Sequence, residues 1–126
     1  MPHLLLRDEV DLDLVVERMP KDAVKWGAAV LKTEDLWRRA DGRAMLIEGV
    51  VIEHSRPLHP VALVSLNHGD TSVRLWRLAA VERTPAVQRW LTVVARDLQQ
   101  LGAGPVRSTN IAPELVEDLR IEPAGD

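Results

Sequence analysis

Cysteine, phenylalanine and tyrosine are all missing from this 126-residue chain. Without cysteine there is no disulfide, no thiolate-zinc site and no thiol nucleophile. Without tyrosine no phenolic hydroxyl can act as a general acid or base, which constrains mechanism more than any motif the chain contains. The only aromatic residues are Trp26, Trp37, Trp76 and Trp90. They are too scattered to form the stacking platform that single-stranded nucleic acid needs. An excess of one charge is lacking too: the net charge is −3, with acids and bases interspersed along the chain. No concentrated basic surface is available to release counterions, so nucleic acid is not an expected partner. Apolar runs such as Val50–Ile52 are far too short to span a bilayer, so no membrane is expected either. MPHLLLRDEVD turns acidic after three leucines, unlike a secretory signal, and the expected location is cytoplasmic.

What is present is a hydrophobic content of 46% against 28% charged residues, the balance of one globular domain over residues 1–126. His3–Arg7 is a short apolar run. Val10, Leu12, Leu14 and Val16 alternate with Asp11, Asp13 and Glu17, which predicts a half-buried edge strand over Val10–Arg18. Pro20 then opens a predicted helix through Val24, Gly27, Ala28 and Leu31. Thr33 caps a second, with Glu34 and Asp35 in its first turn, Arg38 and Arg39 in its last, and Asp41-Gly42 to end it. Three strands follow: Arg43–His54, Pro60–Asn67 and Thr71–Glu82. The first is apolar on both faces, predicting a central strand covered on both sides, with Gly49 marking a bulge. Asn67-His68-Gly69-Asp70 is a hairpin turn signal.

Thr84-Pro85 opens the best-signalled helix, whose stripe is Val87, Trp90, Leu91, Val94, Leu98 and Leu101, and Gly102 closes it. Pro105–Asn110 reads as a returning strand, Pro113–Leu119 as a short helix and Ile121–Asp126 as a tail. The order β-α-α-β-β-β-α-β-α predicts an α+β fold with a mixed, mainly antiparallel sheet and flanking helices.

That order resembles the GNAT acyltransferase superfamily. SVRLWRLAAV is similar to the family's fourth strand, LQQLGAGPVRSTN to the end of its third helix and its fifth strand, and NIAPELVEDL to the start of its fourth helix. The likeness covers roughly residues 44–119 and rests on pattern. It implies an acyl-CoA site at the strand–helix junction, where the family carries an Arg/Gln-x-x-Gly-x-Gly/Ala loop whose backbone N–H groups cradle the pyrophosphate. Here the junction reads Val81-Glu82-Arg83-Thr84-Pro85-Ala86. Pro85 has no N–H, no glycine is present, and Glu82 adds negative charge. The family's tyrosine acid has no counterpart, and the stretch after Leu119 is too short for its last two strands.

Two functional readings follow. The first is a non-catalytic binding or assembly module without a cofactor, forming a homodimer or meeting a protein partner through unpaired sheet edges. The second, implied by the resemblance, is a divergent N-acyltransferase using acetyl-CoA or another acyl-CoA. Glu82 would be its base, and Arg83, Thr84 and Arg89 would hold the cofactor. A cleft left by a sheet that splays at the end of the Thr71–Glu82 strand would favour the second reading. Other constellations are weaker. His54 and His59 flank one connection beside Glu53, but His68 lies roughly 26 Å away along a strand, so the three cannot share a metal. Asp11 and Asp13 lack the glycine turn of a calcium loop, and no serine sits in a nucleophile elbow. Trp26 and Trp37 are the better tryptophans for an interface.

Overall fold

A computed structural model describes residues 1–123. Its elements run β1 (His3–Arg7), α1 (Leu12–Arg18), β2 (Val24–Trp26), β3 (Ala29–Arg38), β4 (Ala44–Glu53), β5 (Arg56–Leu58), β6 (Val61–Asn67), β7 (Asp70–Leu75), α2 (Pro85–Gln100), β8 (Val106–Thr109) and a 3-10 turn at Pro113–Leu115. The fold is α+β, and the strands form one curled antiparallel sheet in the order β2-β3-β4-β6-β7-β1-β8, with β5 pairing β4. The register that joins Val51 to Leu58 also joins Glu48 to Val61, so β5 and β6 are two parts of one strand interrupted at His59-Pro60.

Both helices and the 3-10 turn feed one core on the inner face of the sheet. Its members include Val15 of α1, Met45, Ile47 and Val51 of β4, Trp90, Leu91, Val94 and Leu98 of α2, and Leu115. Thr84 caps α2 by accepting from the Val87 N–H at 3.1 Å, and Pro85 occupies the first turn. At the far end Gln99 donates to the carbonyls of Gly104 and Arg120 and accepts from the Arg120 N–H, which fastens the C-terminal segment to the helix.

The first third of the chain departs from its pattern. Residues 12–18 form a helix instead of an edge strand: Asp11 caps it through the N–H groups of Asp13 and Leu14, and Leu12, Val15 and Met19 reach the core at helical spacing. Val16, inward in the strand reading, is 48% exposed. The alternating and the helical periods coexist in these residues, and the cap with the buried Thr71 decides between them. The Thr71 hydroxyl donates to the Asp8 carbonyl at 2.7 Å and accepts from the Val10 N–H at 3.0 Å. Neither predicted helix over residues 20–39 forms. Gly27, at φ +58, and Ala28 make a two-residue connection that folds β2 onto β3, a turn in which glycine at the first position costs nothing. Thr33 is a buried strand residue, and Glu34 and Asp35 occupy a bulge in β3 opposite β4.

The middle strands and α2 lie where the pattern puts them, except that β7 stops at Leu75. The order along the chain is therefore β-α-β-β-β-β-β-β-α-β followed by a 3-10 turn, in place of the predicted β-α-α-β-β-β-α-β-α. Pro113–Leu119 contributes only that one turn, and Ile121 makes a parallel bridge to Val106. The rest of the predicted tail, residues 124–126, lies outside the described residues. The two strands on either side of α2 are not neighbours, because β1 lies between β7 and β8, antiparallel to both. The sheet is continuous there and does not splay.

Candidate binding surfaces

At the junction before α2, Pro85 has no N–H, the Val87 N–H is taken by the Thr84 hydroxyl, and the Gln88 N–H is taken by the Thr84 carbonyl. Thr84 in turn donates to Glu53 Oε1 at 2.6 Å. Glu82 is exposed and ion-paired with Arg56. Glu82 and Thr84 share a hollow of about 310 Å³ with Glu53, His54 and Arg56. Arg83 lines a different depression, with Met1 and Trp76, and its carbonyl accepts from Gln88. Arg89 is elsewhere again. Its guanidinium makes a two-pronged contact with Asp118 at 2.8 Å on each arm and donates to the Leu115 carbonyl at 2.9 Å. Of the four residues singled out in the sequence, the fold brings together Glu82 and Thr84 and sends Arg83 and Arg89 to other surfaces. Among the described residues no three His, Asp or Glu side chains converge so as to hold a metal ion. No helix there is long and apolar enough to cross a membrane.

A second surface is the outer face of the sheet. Strand pairing puts Trp37, Leu46, Leu63 and Arg74 in one row across β3, β4, β6 and β7. Further rows join Glu48 to Val61, Lys32 to Val50 and Val30 to Ile52. Trp37 is 60% exposed and Ile52 40% exposed. The Trp37 indole donates to Glu48 across the face. None of these apolar side chains belongs to the core cluster, and among the described residues no helix packs over them. The outer side of β4, expected to be covered, has no helix over it among the described residues: Leu46, Glu48 and Val50 are half-buried and Ile52 is exposed.

A third surface is a cleft of about 240 Å³ between α2 and the β2–β3 hairpin. Trp90, Val93, Arg96, Asp97 and Gln100 form its helix wall, at spacings that repeat on one side of a helix. Val24, Leu31 and Thr33 form the strand wall. At its base the Trp90 indole lies directly on Gly49, where a Cβ would come within 2.3 Å of the ring. Gly49 is therefore a seat for the indole and pairs regularly with Thr33; the bulge predicted at Gly49 is found in β3 instead, where Glu34 and Asp35 face Glu48. The Trp90 Nε1 and the Arg96 Nε are both buried and have no hydrogen-bond partner among the described residues. Asp97 is buried as well, and desolvation raises its pKa against the opposing pull of Arg96. The sequence marks Trp90 as core, which it is, but apolar periodicity carries no sign of an unmatched N–H. The glycine at 49 on an otherwise apolar strand is the one available signal.

Comparison with protein-family models, with curated proteins and with solved structures finds no match. The functional reading therefore rests on the geometry above.

Proposed function

We propose that the chain is a non-catalytic assembly module that pairs with a second copy of itself through the outer face of its sheet. The observation that carries this reading is β4. Its outward residues Leu46, Val50 and Ile52 are as apolar as its inward ones, yet Leu46 and Val50 are only half-buried, Ile52 is exposed, and among the described residues no helix packs over them. Large apolar side chains left uncovered on a sheet, here with Lys32, Glu48 and Arg74 among them, mark an interaction surface more often than they are left in water.

The row Trp37–Leu46–Leu63–Arg74 fits a copy of itself. A two-fold axis running along the strands between β4 and β6 would set Leu46 against the partner's Leu63. It would also set Trp37 against the partner's Arg74, an aromatic face against a guanidinium. Aligned sheet packing with the strands about 30° apart is the usual geometry for such faces. The junction before α2 supports the non-catalytic part: Pro85 has no N–H, the Thr84 hydroxyl takes the Val87 N–H, and Arg83 and Arg89 point to separate surfaces. Sedimentation at micromolar concentration should find a dimer, and Leu63→Asp should return it to monomer with an unchanged circular dichroism spectrum. A wild-type chain that sediments as a clean monomer would remove this reading.

A further inference from the structure

Unpaired charge on the outer face of the sheet is divided by sign. Glu34 and Asp35 fill the bulge in β3 and face Glu48 of β4, because the residues on either side of them turn inward: Thr33 is buried and Leu36 packs on the core. None of these three carboxylates makes an ion pair among the described residues, and Glu48 accepts only from the Trp37 indole. Arg74 lies on the other side of the face, on β7, and is exposed. It too has no carboxylate partner there, and its guanidinium donates to the Ser72 hydroxyl at 3.3 Å. The other arginines and carboxylates of β7, β1 and β8 are already matched: Asp70 with Arg107 at 2.7 Å, and Arg7 with Glu122 at 2.8 Å.

We propose that these unmatched charges fix the register of the self-pairing and put it under the control of ionic strength, with Arg74 of each copy seated among Glu34, Asp35 and Glu48 of the other. The inference rests on the outer-face pairing proposed above and adds the contacts that select it. A two-fold axis along the strands between β4 and β6 exchanges β3 with β7. Trp37 and Arg74 lie in one row, so each Arg74 comes over the partner's Trp37, with the three carboxylates one row further along. One row is two residues, about 7 Å, and stacked sheets lie about 10 Å apart, a gap that long side chains from both layers fill. The Trp37–Glu48 hydrogen bond presents an indole and a carboxylate together. An arginine suits both, the ring through its face and the carboxylate through its fork. Lys32 and Lys25 also carry no ion pair among the described residues, but they lie past the bulge, beyond the point where β7 ends at Leu75. The partner's β7 therefore sets no like charge over them. Each chain carries both halves of the match, so the contact forms twice per dimer, which a second copy satisfies and a partner of one charge does not.

Sedimentation velocity on charge-reversed chains tests this. Wild type should pair, and raising sodium chloride from about 0.05 M to about 0.5 M should weaken the pairing by roughly tenfold, because the exposed charges are then screened. Arg74→Glu in one chain, and Asp35→Arg with Glu48→Arg in another, should each weaken self-pairing by roughly tenfold or more. Mixed in equal amounts, the two variants should pair with each other about as tightly as wild type, since their reversed sites meet as complements. If the doubly substituted chain loses the native circular dichroism spectrum, Glu34→Arg at the exposed bulge takes its place, with a loss of roughly threefold and the same rescue on mixing. A wild-type dimer that is indifferent to salt, or whose reversed variants still self-pair, or whose variants do not pair on mixing, overturns the charge register and leaves the outer-face reading standing. A wild-type monomer overturns both.

Discussion

The two faces of β4 are alike in composition and opposite in fate. Inward, Met45, Ile47 and Val51 are buried in the core that α2 packs against, and Gly49 makes room for Trp90. Outward, Leu46, Val50 and Ile52 alternate with them on the same ten residues, and among the described residues only their neighbours on the sheet touch them, with no helix over them. The inner face shows what it takes to convert an apolar strand into a core: a helix whose stripe matches it and a glycine where the largest ring must touch the backbone. The outer face shows that the same side chains, without a matching element, remain a surface.

Substitutions should separate the faces by stability against association. Trp90→Ala should have the largest effect, a loss of about 3–5 kcal/mol by chemical denaturation, because it empties the most voluminous fully buried site. Gly49→Ala should follow, at about 1–3 kcal/mol, because the added methyl meets a buried ring that has nowhere to move. Leu46→Ser on the outer face should change monomer stability by less than about 1 kcal/mol. Its main effect should instead be to weaken self-association, read by sedimentation. A large loss of stability in this variant would mean that the outer face is not a free surface.

A smaller effect tests the rim where the inner layer is tied to the sheet. Glu9 accepts from both arms of Arg43 and from the Gly69 N–H, and these bonds, the Arg43 bonds foremost, lower its pKa from 4.5 to about 2. A carboxylate with a depressed folded pKa stabilises fully above its unfolded value. That contribution should therefore be present above pH 4.5, shrink as the pH falls, and be gone near pH 2. Glu9→Gln should flatten the stability curve over that interval, as followed by denaturant midpoints.

The same contrast explains what the sequence made legible. For α2 every local signal agreed: a threonine cap, a proline in the first turn, one apolar stripe and a closing glycine. The strands at 44–53, 61–67 and 106–109 were likewise bounded by turns and β-branched residues. Residues 10–39 were ambiguous because two periods coexist there. Val10, Leu12, Leu14 and Val16 satisfy a strand, while Leu12, Val15 and Met19 satisfy a helix. The Thr71 contacts that favour the helix come from 61 residues away. Gly27 had the same double meaning, as a flaw in a helix or the pivot of a hairpin. The candidate surfaces were less legible still. Glu82 and Thr84 do share a hollow, but the cleft beside Trp90 depends on which hydrogen bonds are missing, and a residue pattern does not encode that.

The place of β1 between β7 and β8 sets an order of events during synthesis. Its partners are Asp70–Leu75 on one side and Val106–Thr109 on the other, and β8 has no other strand beside it among the described residues. β1, made before the other strands described, is thus among the last to be enclosed, since its second neighbour emerges about a hundred residues later. Such long-range closure slows folding. Leu4 and Leu6, both fully buried at the end, spend that interval in water or in other hands.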